Sequence, residues 1–283
     1  MRFLFLLLTA LSLHAQIAVE IVFDQETYLS SESLVARVRI TNRSGGPIRF
    51  GKGHDWLTIN IESAQNFIVS QTKPLDVEGE FTLQTSEVGT KRIDLAPYYT
   101  ITTPGRYMAS ATVHIPEWNR SFSSKSRSFD IISGTKLMEL PFGLPQASGA
   151  PEMRKYVLQQ VTKLKEMKLY FRLTDETGLH TYTVFPVAPM VTFSRPEAQI
   201  DEESNLHVLH QTGARSFNYS ILDPHGKMIL RQTYDYTESR PVLRVKASGK
   251  LGVVGGVRRV ASTDIPSANA SAEKDAQTPA TKN

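Results

Sequence analysis

The sequence predicts a mainly β protein, an antiparallel β-sandwich followed by a β-meander with one short helix. Three observations predict it. Short runs with apolar residues at every second position recur between turn clusters over residues 17–133. A second set of such runs repeats at a roughly fixed spacing over 168–260. The two sets are separated by a stretch rich in Gly, Pro, Ser and Ala at 134–151, read as a linker.

The chain has 283 residues and no cysteine. Disulfides, thiolate metal sites and thiol nucleophiles are therefore excluded. Residues 1–15 open with one Arg, continue as an apolar run and end on Ala15, the layout of a secretory signal peptide. That run is too short to span a bilayer, and no later segment approaches the length required. The expectation is an exported protein, periplasmic or secreted, with no transmembrane segment once the leader is removed. Without disulfides, each domain must bury enough apolar surface unaided.

In the first region, residues 18–23 form the first run. Residues 33–42 are the cleanest, with Leu34, Ala36, Val38 and Ile40 facing one way and Arg37, Arg39 and Thr41 the other. A turn cluster at 43–47 follows, then runs at 48–50, 56–61, 67–70, 81–83, 92–95 and 98–101. Thr103, Pro104 and Gly105 make a turn into 107–115, and 128–132 closes the set. The pattern Tyr28…Glu32-Ser-Leu34…Val38-Arg-Ile40-Thr-Asn42…Pro47-Ile48 resembles the opening of many bacterial immunoglobulin-like domains. Pro104-Gly-Arg-Tyr107 resembles their late strand. The region is similar to fibronectin-type sandwiches and to the BsuPI-like proteinase-inhibitor sandwich. That resemblance implies a fold, and it raises an inhibitor-like role as one alternative.

In the second region, residues 152–168 place Met153, Val157, Val161, Leu164 and Met167 at helical spacing, which predicts a helix. A strand over 155–161 followed by a hairpin is the competing reading. Residues 169–173 and 182–185 match 206–210 and 219–222 at an offset of 37, and Arg195-Pro196 matches Arg240-Pro241 at 45. Asp223-Pro-His-Gly226 fits a type I turn. Such units resemble the four-stranded blades of β-propellers, yet two and a fraction cannot close a ring. The region is then an open meander, part of another β-fold, or completed by another chain. Residues 261–283 carry one large apolar residue, Ile265, and are expected to be disordered.

Net charge is +4, too balanced to indicate nucleic acid. Residues 134–260 carry 17 basic and 12 acidic side chains, against 12 and 13 in 17–133. The sequence holds no Gly-x-Ser-x-Gly elbow, no phosphate loop and no HExxH motif. The glycines between 252 and 256 are read as letting a strand bend or pack closely. His207, His210, Asp223 and His225 form the best ligand-like cluster, but two histidines three apart on a strand point to opposite faces, so no metal and no cofactor are expected. Asp201, Glu202 and Glu203 are the carboxylates a glycoside hydrolase would use, if a fold held two of them at the required separation. Trp56 is a candidate exposed aromatic contact, although a Trp here also fills sandwich cores. Trp56, His207, His210 and Arg240 are the candidate partner-binding residues. The reading favoured is a noncatalytic binding or scaffold protein of the cell envelope. It would engage a protein or glycan through sheet edges or loops, with self-association through open edges a further option. A carboxylate-dependent hydrolase acting on envelope polysaccharide is the alternative.

Overall fold

A computed structural model describes residues 16–53, 55–65, 67–77 and 79–266. The expected leader at 1–15 lies outside them, as does the tail from 267 onward. The fold is mainly β and divides into two compact units, Met1–Ile132 and Ser133–Asn283.

The first unit contains β1 (Ile17–Phe23), β2 (Thr27–Leu29), β3 (Val35–Asn42), β4 (Ile48–Phe50), β5 (Leu57–Ser63), β6 (Phe81–Leu83), β7 (Val88–Asp94), β8 (Gly105–Ile115), β9 (Arg120–Ser123) and β10 (Arg127–Ile132). One sheet has the order β1-β3-β7 and a second β2-β10-β8-β5, with β9 on β8 and a separate β4-β6 pair. β2 joins β10 in parallel, so β1 and β2 are divided between the two sheets. The alternation of β3 sends Ala36, Val38 and Ile40 into one core with Ile59, Ile61, Val113 and Phe129 from the other sheet. Fully burying each of the Val, Ile and Phe side chains among them is worth about 1.5–3 kcal/mol, which lets this unit dispense with disulfides. The runs expected at 67–70 and 98–101 are reduced to isolated bridges, Glu62 with Ile68 and Gln71 with Tyr99.

The second unit contains β11 (Thr135–Leu144), β12 (Glu152–Lys163), β13 (Glu166–Asp175), β14 (Thr181–Pro189), β15 (Glu197–Ile200), β16 (Leu206–Gln211), β17 (Ser216–Leu222), β18 (Met228–Asp235), β19 (Val242–Val245), β20 (Leu251–Val254) and β21 (Val257–Arg259). Three antiparallel sheets follow one another: β11-β12-β13-β14, β15-β16-β17-β18-β21 and the pair β19-β20. One core joins Phe142, Tyr156, Phe171 and Leu173 of the first sheet to Leu206, Val208 and Leu222 of the second. Another joins Leu209, Phe217, Tyr219 and Leu230 of the second to Leu243 and Val253 of the third. The middle sheet therefore has a neighbour on each face, and its strand β16 is buried at all six residues.

Three expectations are corrected. The stretch read as a helix is a hairpin, β12 and β13, paired from Arg154–Asp175 to Lys163–Glu166. Its turn residues Leu164 and Lys165 both adopt left-handed φ, 49° and 69°, the geometry of a type I′ connection. The helical spacing arose because Tyr156, Val157 and Leu158 are buried in succession, which erases the period of two. Most of the expected linker is β11, which pairs with β12 along nine registered positions from Thr135 to Leu144. Pro141 and Gly143 are tolerated there because β11 is an edge strand. The expected disorder from 261 does not begin there: Ile265 bridges to Arg231, and Asp264 pairs with Arg258 at 2.8 Å. The offset of 37 matches β13, third in its sheet, with β16, second in the next, so that part of the repeat is out of phase with the sheets.

Candidate functional site

β16 alternates strictly. Leu206, Val208 and His210 point toward the sheet formed by β11–β14, while His207 and Leu209 point toward β19-β20. The two candidate histidines thus lie on opposite faces of one strand. His210 is 2% exposed and neither ring nitrogen has a hydrogen-bond partner. Burial holds its pKa down to about 4; the Pro189 carbonyl leans toward the ring and opposes this, without reaching hydrogen-bond geometry, and the Arg231 cation adds to it. His210 is a neutral core residue with no route to a partner, which corrects its expected role.

His207 is buried and held at both nitrogens, Nδ1 2.6 Å from the Tyr219 hydroxyl and Nε2 2.9 Å from Asp201 Oδ2. Asp201 also accepts from the backbone N–H of Glu203 and Asn205 and from Asn205 Nδ2. Burial opposes the Asp201 charge, but the hydrogen bonds from His207 and Asn205 outweigh it and hold the carboxyl below the usual range. Burial, with Tyr234 and Asp201 adding to it, pushes the Tyr219 hydroxyl up, so it stays protonated at neutral pH. This chain of contacts pins the 201–205 turn onto the sheet. It engages both oxygens of Asp201, and Asn205 Nδ2 also reaches Glu203 Oε2 at 3.3 Å, so the two carboxylates share one amide donor. Among the described residues, no group of three or more His, Asp or Glu is placed to hold a metal ion.

Arg240 is exposed, lies 5.4 Å over the Phe217 ring and reaches Ser194 Oγ at 3.4 Å. Phe217 shares its face with Tyr219, so Arg240 and His207 belong to the same side of the middle sheet. Trp56 belongs to the other unit. It is 2% exposed, donates from Nε1 to the Val77 carbonyl and packs on Phe50 and Phe81. The sandwich core takes its ring, which corrects the expectation of an exposed contact.

The feature that residue-by-residue reading missed is the edge of the third sheet. β19 lies over β15 and β16, and β20 over β16. Ile221, Gln232 and Tyr234, on the same face of β17 and β18, remain half-buried. Lys246 N–H donates to the Lys250 carbonyl, which makes 246/250, 244/252 and 242/254 the hydrogen-bonded pairs of the hairpin. The N–H and C=O groups of Leu251 and Val253 consequently point away from β19, along an edge that no described strand covers. On the opposite edge, Glu197 Oε2 accepts the Leu243 N–H. The chain then returns to the middle sheet through Gly255 and Gly256, φ 77° and 65°. A Cβ at these positions would lie 2.7 Å from the Arg240 carbonyl oxygen and 2.5 Å from Pro241 Cγ. The glycine cluster therefore makes a crossover between sheets, a more specific role than the bend read from sequence. The signal for the edge was present in the letters Leu-Gly-Val-Val, an uncharged strand within a strongly basic stretch.

No family model matches the chain, and no curated protein matches it. Among solved structures the chain is similar to the crystal structure of Spo0M, sporulation control protein, from Bacillus subtilis, at 10% identity and a TM-score of 0.31, over 56% of this chain and 80% of that chain. A likeness of that size carries no argument about fold or function.

Proposed function

We propose that the protein is an exported, noncatalytic binding or scaffold protein of the cell envelope that engages a protein or glycan partner through sheet edges or loops. The observation that carries this reading is the open β20 edge beside a half-covered sheet face. Natural edge strands are usually blunted by charge, proline, bulges or a covering segment. β20 carries no charged residue and no proline, and among the described residues no strand pairs with its two outward backbone positions. The leader-like pattern at 1–15 supports export, and the immunoglobulin-like pattern of the first region suits an extracytoplasmic binding module.

The test uses the full chain in a bacterial host, with a photo-cross-linking residue at Val254, which is exposed beside the edge. The expected result is a discrete cross-linked product in the envelope fraction that disappears when Leu251→Pro blocks the edge. Proline there removes an outward N–H and no internal bond. A chain retained in the cytoplasm, or one giving no edge-dependent product, would overturn the proposal.

A further inference from the structure

We infer that the β20 edge takes an extended acidic strand: a peptide segment of a partner protein with apolar side chains at alternate positions and carboxylates between them. The inference rests on the binding reading above and names the chemistry of the partner. Strand addition supplies affinity through main-chain hydrogen bonds and specificity through alternate side chains. The inward side chains of an added strand would lie over Ile221, Gln232 and Tyr234, which the third sheet leaves half-buried. Apolar residues suit that surface.

Charge decides the outward side. Residues 240–260 hold Arg240, Arg244, Lys246, Lys250, Arg258 and Arg259, all exposed, and no carboxylate. Arg244, Arg258 and Arg259 are paired with Glu197, Asp264 and Asp235. Lys246 and Lys250 have no carboxylate partner among the described residues. Both border the open edge on its outer face. Lys250 precedes β20, and the Lys246 side chain lies across Gly252, its Cε 2.6 Å from where a Cβ would stand. Glycine in mid-strand thus lets an ammonium from β19's side reach the unpaired edge. Opposite charges facing each other across a strand pair stabilise it, and like charges destabilise it. A carboxylate on the incoming strand meets Lys246 and Lys250; a second copy of β20 would set the same two lysines against each other. Self-pairing is therefore the less favoured occupant. The tail beyond 266 has no large apolar residue to fill the inward positions.

The experiment measures binding of labelled eight-residue peptides to the full chain by fluorescence anisotropy. The peptides are alternating Val-Glu, alternating Val-Lys, and a Val/Glu peptide of the same composition with the alternation scrambled. The expected result is tightest binding by alternating Val-Glu, at least tenfold over either control and weakened by added salt. It should fall tenfold or more in the Lys246→Glu/Lys250→Glu variant and be lost in Leu251→Pro. The double variant touches exposed residues only, so it stays informative if the proline variant fails to fold by circular dichroism. Equal binding of Val-Lys, lost in Leu251→Pro, would overturn the acidic partner while leaving the edge reading standing. Equal binding of the scrambled peptide would reduce the site to a charged surface and overturn the inference. A concentration-dependent dimer abolished by Leu251→Pro would assign the edge to a second copy and overturn it too. No binding by any peptide, with the cross-link at Val254 still present, would overturn the inference alone; loss of both would overturn the reading beneath it.

Discussion

The buried imidazole of His210 makes the second unit acid-sensitive in a defined window. Its pKa is held down to about 4 by burial, with Pro189 opposing and Arg231 reinforcing. An exposed histidine in the unfolded chain titrates near 6.5. Between those values the unfolded state holds the extra proton, so stability rises with pH there and is flat above about pH 6.5. As pH falls from 7 to 5, this ring alone should remove about 2 kcal/mol, from a full effect of about 3 kcal/mol. His210→Met replaces an imidazole whose two nitrogens are unpartnered with an apolar chain of similar size. At pH 7 the variant should match or exceed the parent, because it removes a buried unsatisfied polar group costing about 1–3 kcal/mol. The assay is urea unfolding at pH 7 and pH 5. Both tryptophans, Trp56 and Trp118, lie in the first unit, so tryptophan fluorescence follows that unit and backbone circular dichroism adds the second. With a slope of about 2 kcal/mol per molar urea, the parent's second transition should drop about 1 M further than the variant's between the two pH values. Equal displacement in both proteins would refute the reasoning, because the other histidines are common to both.

Two further predictions concern single turns. Leu164→Asn/Lys165→Gly puts residues that accept positive φ into the β12–β13 turn, where Leu164 is 88% exposed and loses no packing. The left-handed conformation costs ordinary residues about 1–2 kcal/mol each, the new glycine's greater unfolded-state freedom takes part of that back, and a net gain of about 1–2 kcal/mol should raise the melting temperature about 3–6 °C by differential scanning calorimetry; an unchanged melting temperature would contradict the turn assignment. In the first unit, buried Asn42 donates from Nδ2 to the Gly46 and Leu83 carbonyls and accepts at Oδ1 from the Ser44 N–H and hydroxyl. Asn42→Ala should cost about 2–4 kcal/mol in the tryptophan-detected urea transition, and a loss under 0.5 kcal/mol would remove the claim that this side chain holds the turn together.

How far the letters foretold the molecule depended on what each strand faces. β3 was legible because one side meets the core and the other carries Arg37 and Arg39, the arrangement that gives a period of two. β12 was not, because burial on both faces leaves no polar beat, and the spacing of Val157, Val161 and Leu164 then mimics a helix. β11 was hidden by Pro141 and Gly143, which signal a loop unless the strand is known to sit at an edge. The opposite orientations of His207 and His210 followed from strand geometry alone. What each ring would touch did not, because Asp201, Tyr219, Pro189 and Arg231 come from other strands and turns. Trp56 failed for a similar reason: the neighbours that enclose it, Phe50 and Phe81, belong to β4 and β6.

The hairpin β19-β20 is a span with two abutments. On the incoming strand Glu197 grips the Leu243 N–H, and on the outgoing strand Gly255 and Gly256 deliver the chain to β21, which Arg259 fastens to Asp235. A hairpin held at its base in this way cannot peel from a loose end; it lifts as a whole or stays. Its far end, the 247–249 turn, has among the described residues no such fastening beyond the Lys246–Gly249 and Lys246–Lys250 backbone bonds. Closing a longer loop costs only about 0.6 kcal/mol per doubling of its length. That turn is accordingly the place where the molecule can be lengthened, tagged or joined to another domain while the layers beneath it keep their registry.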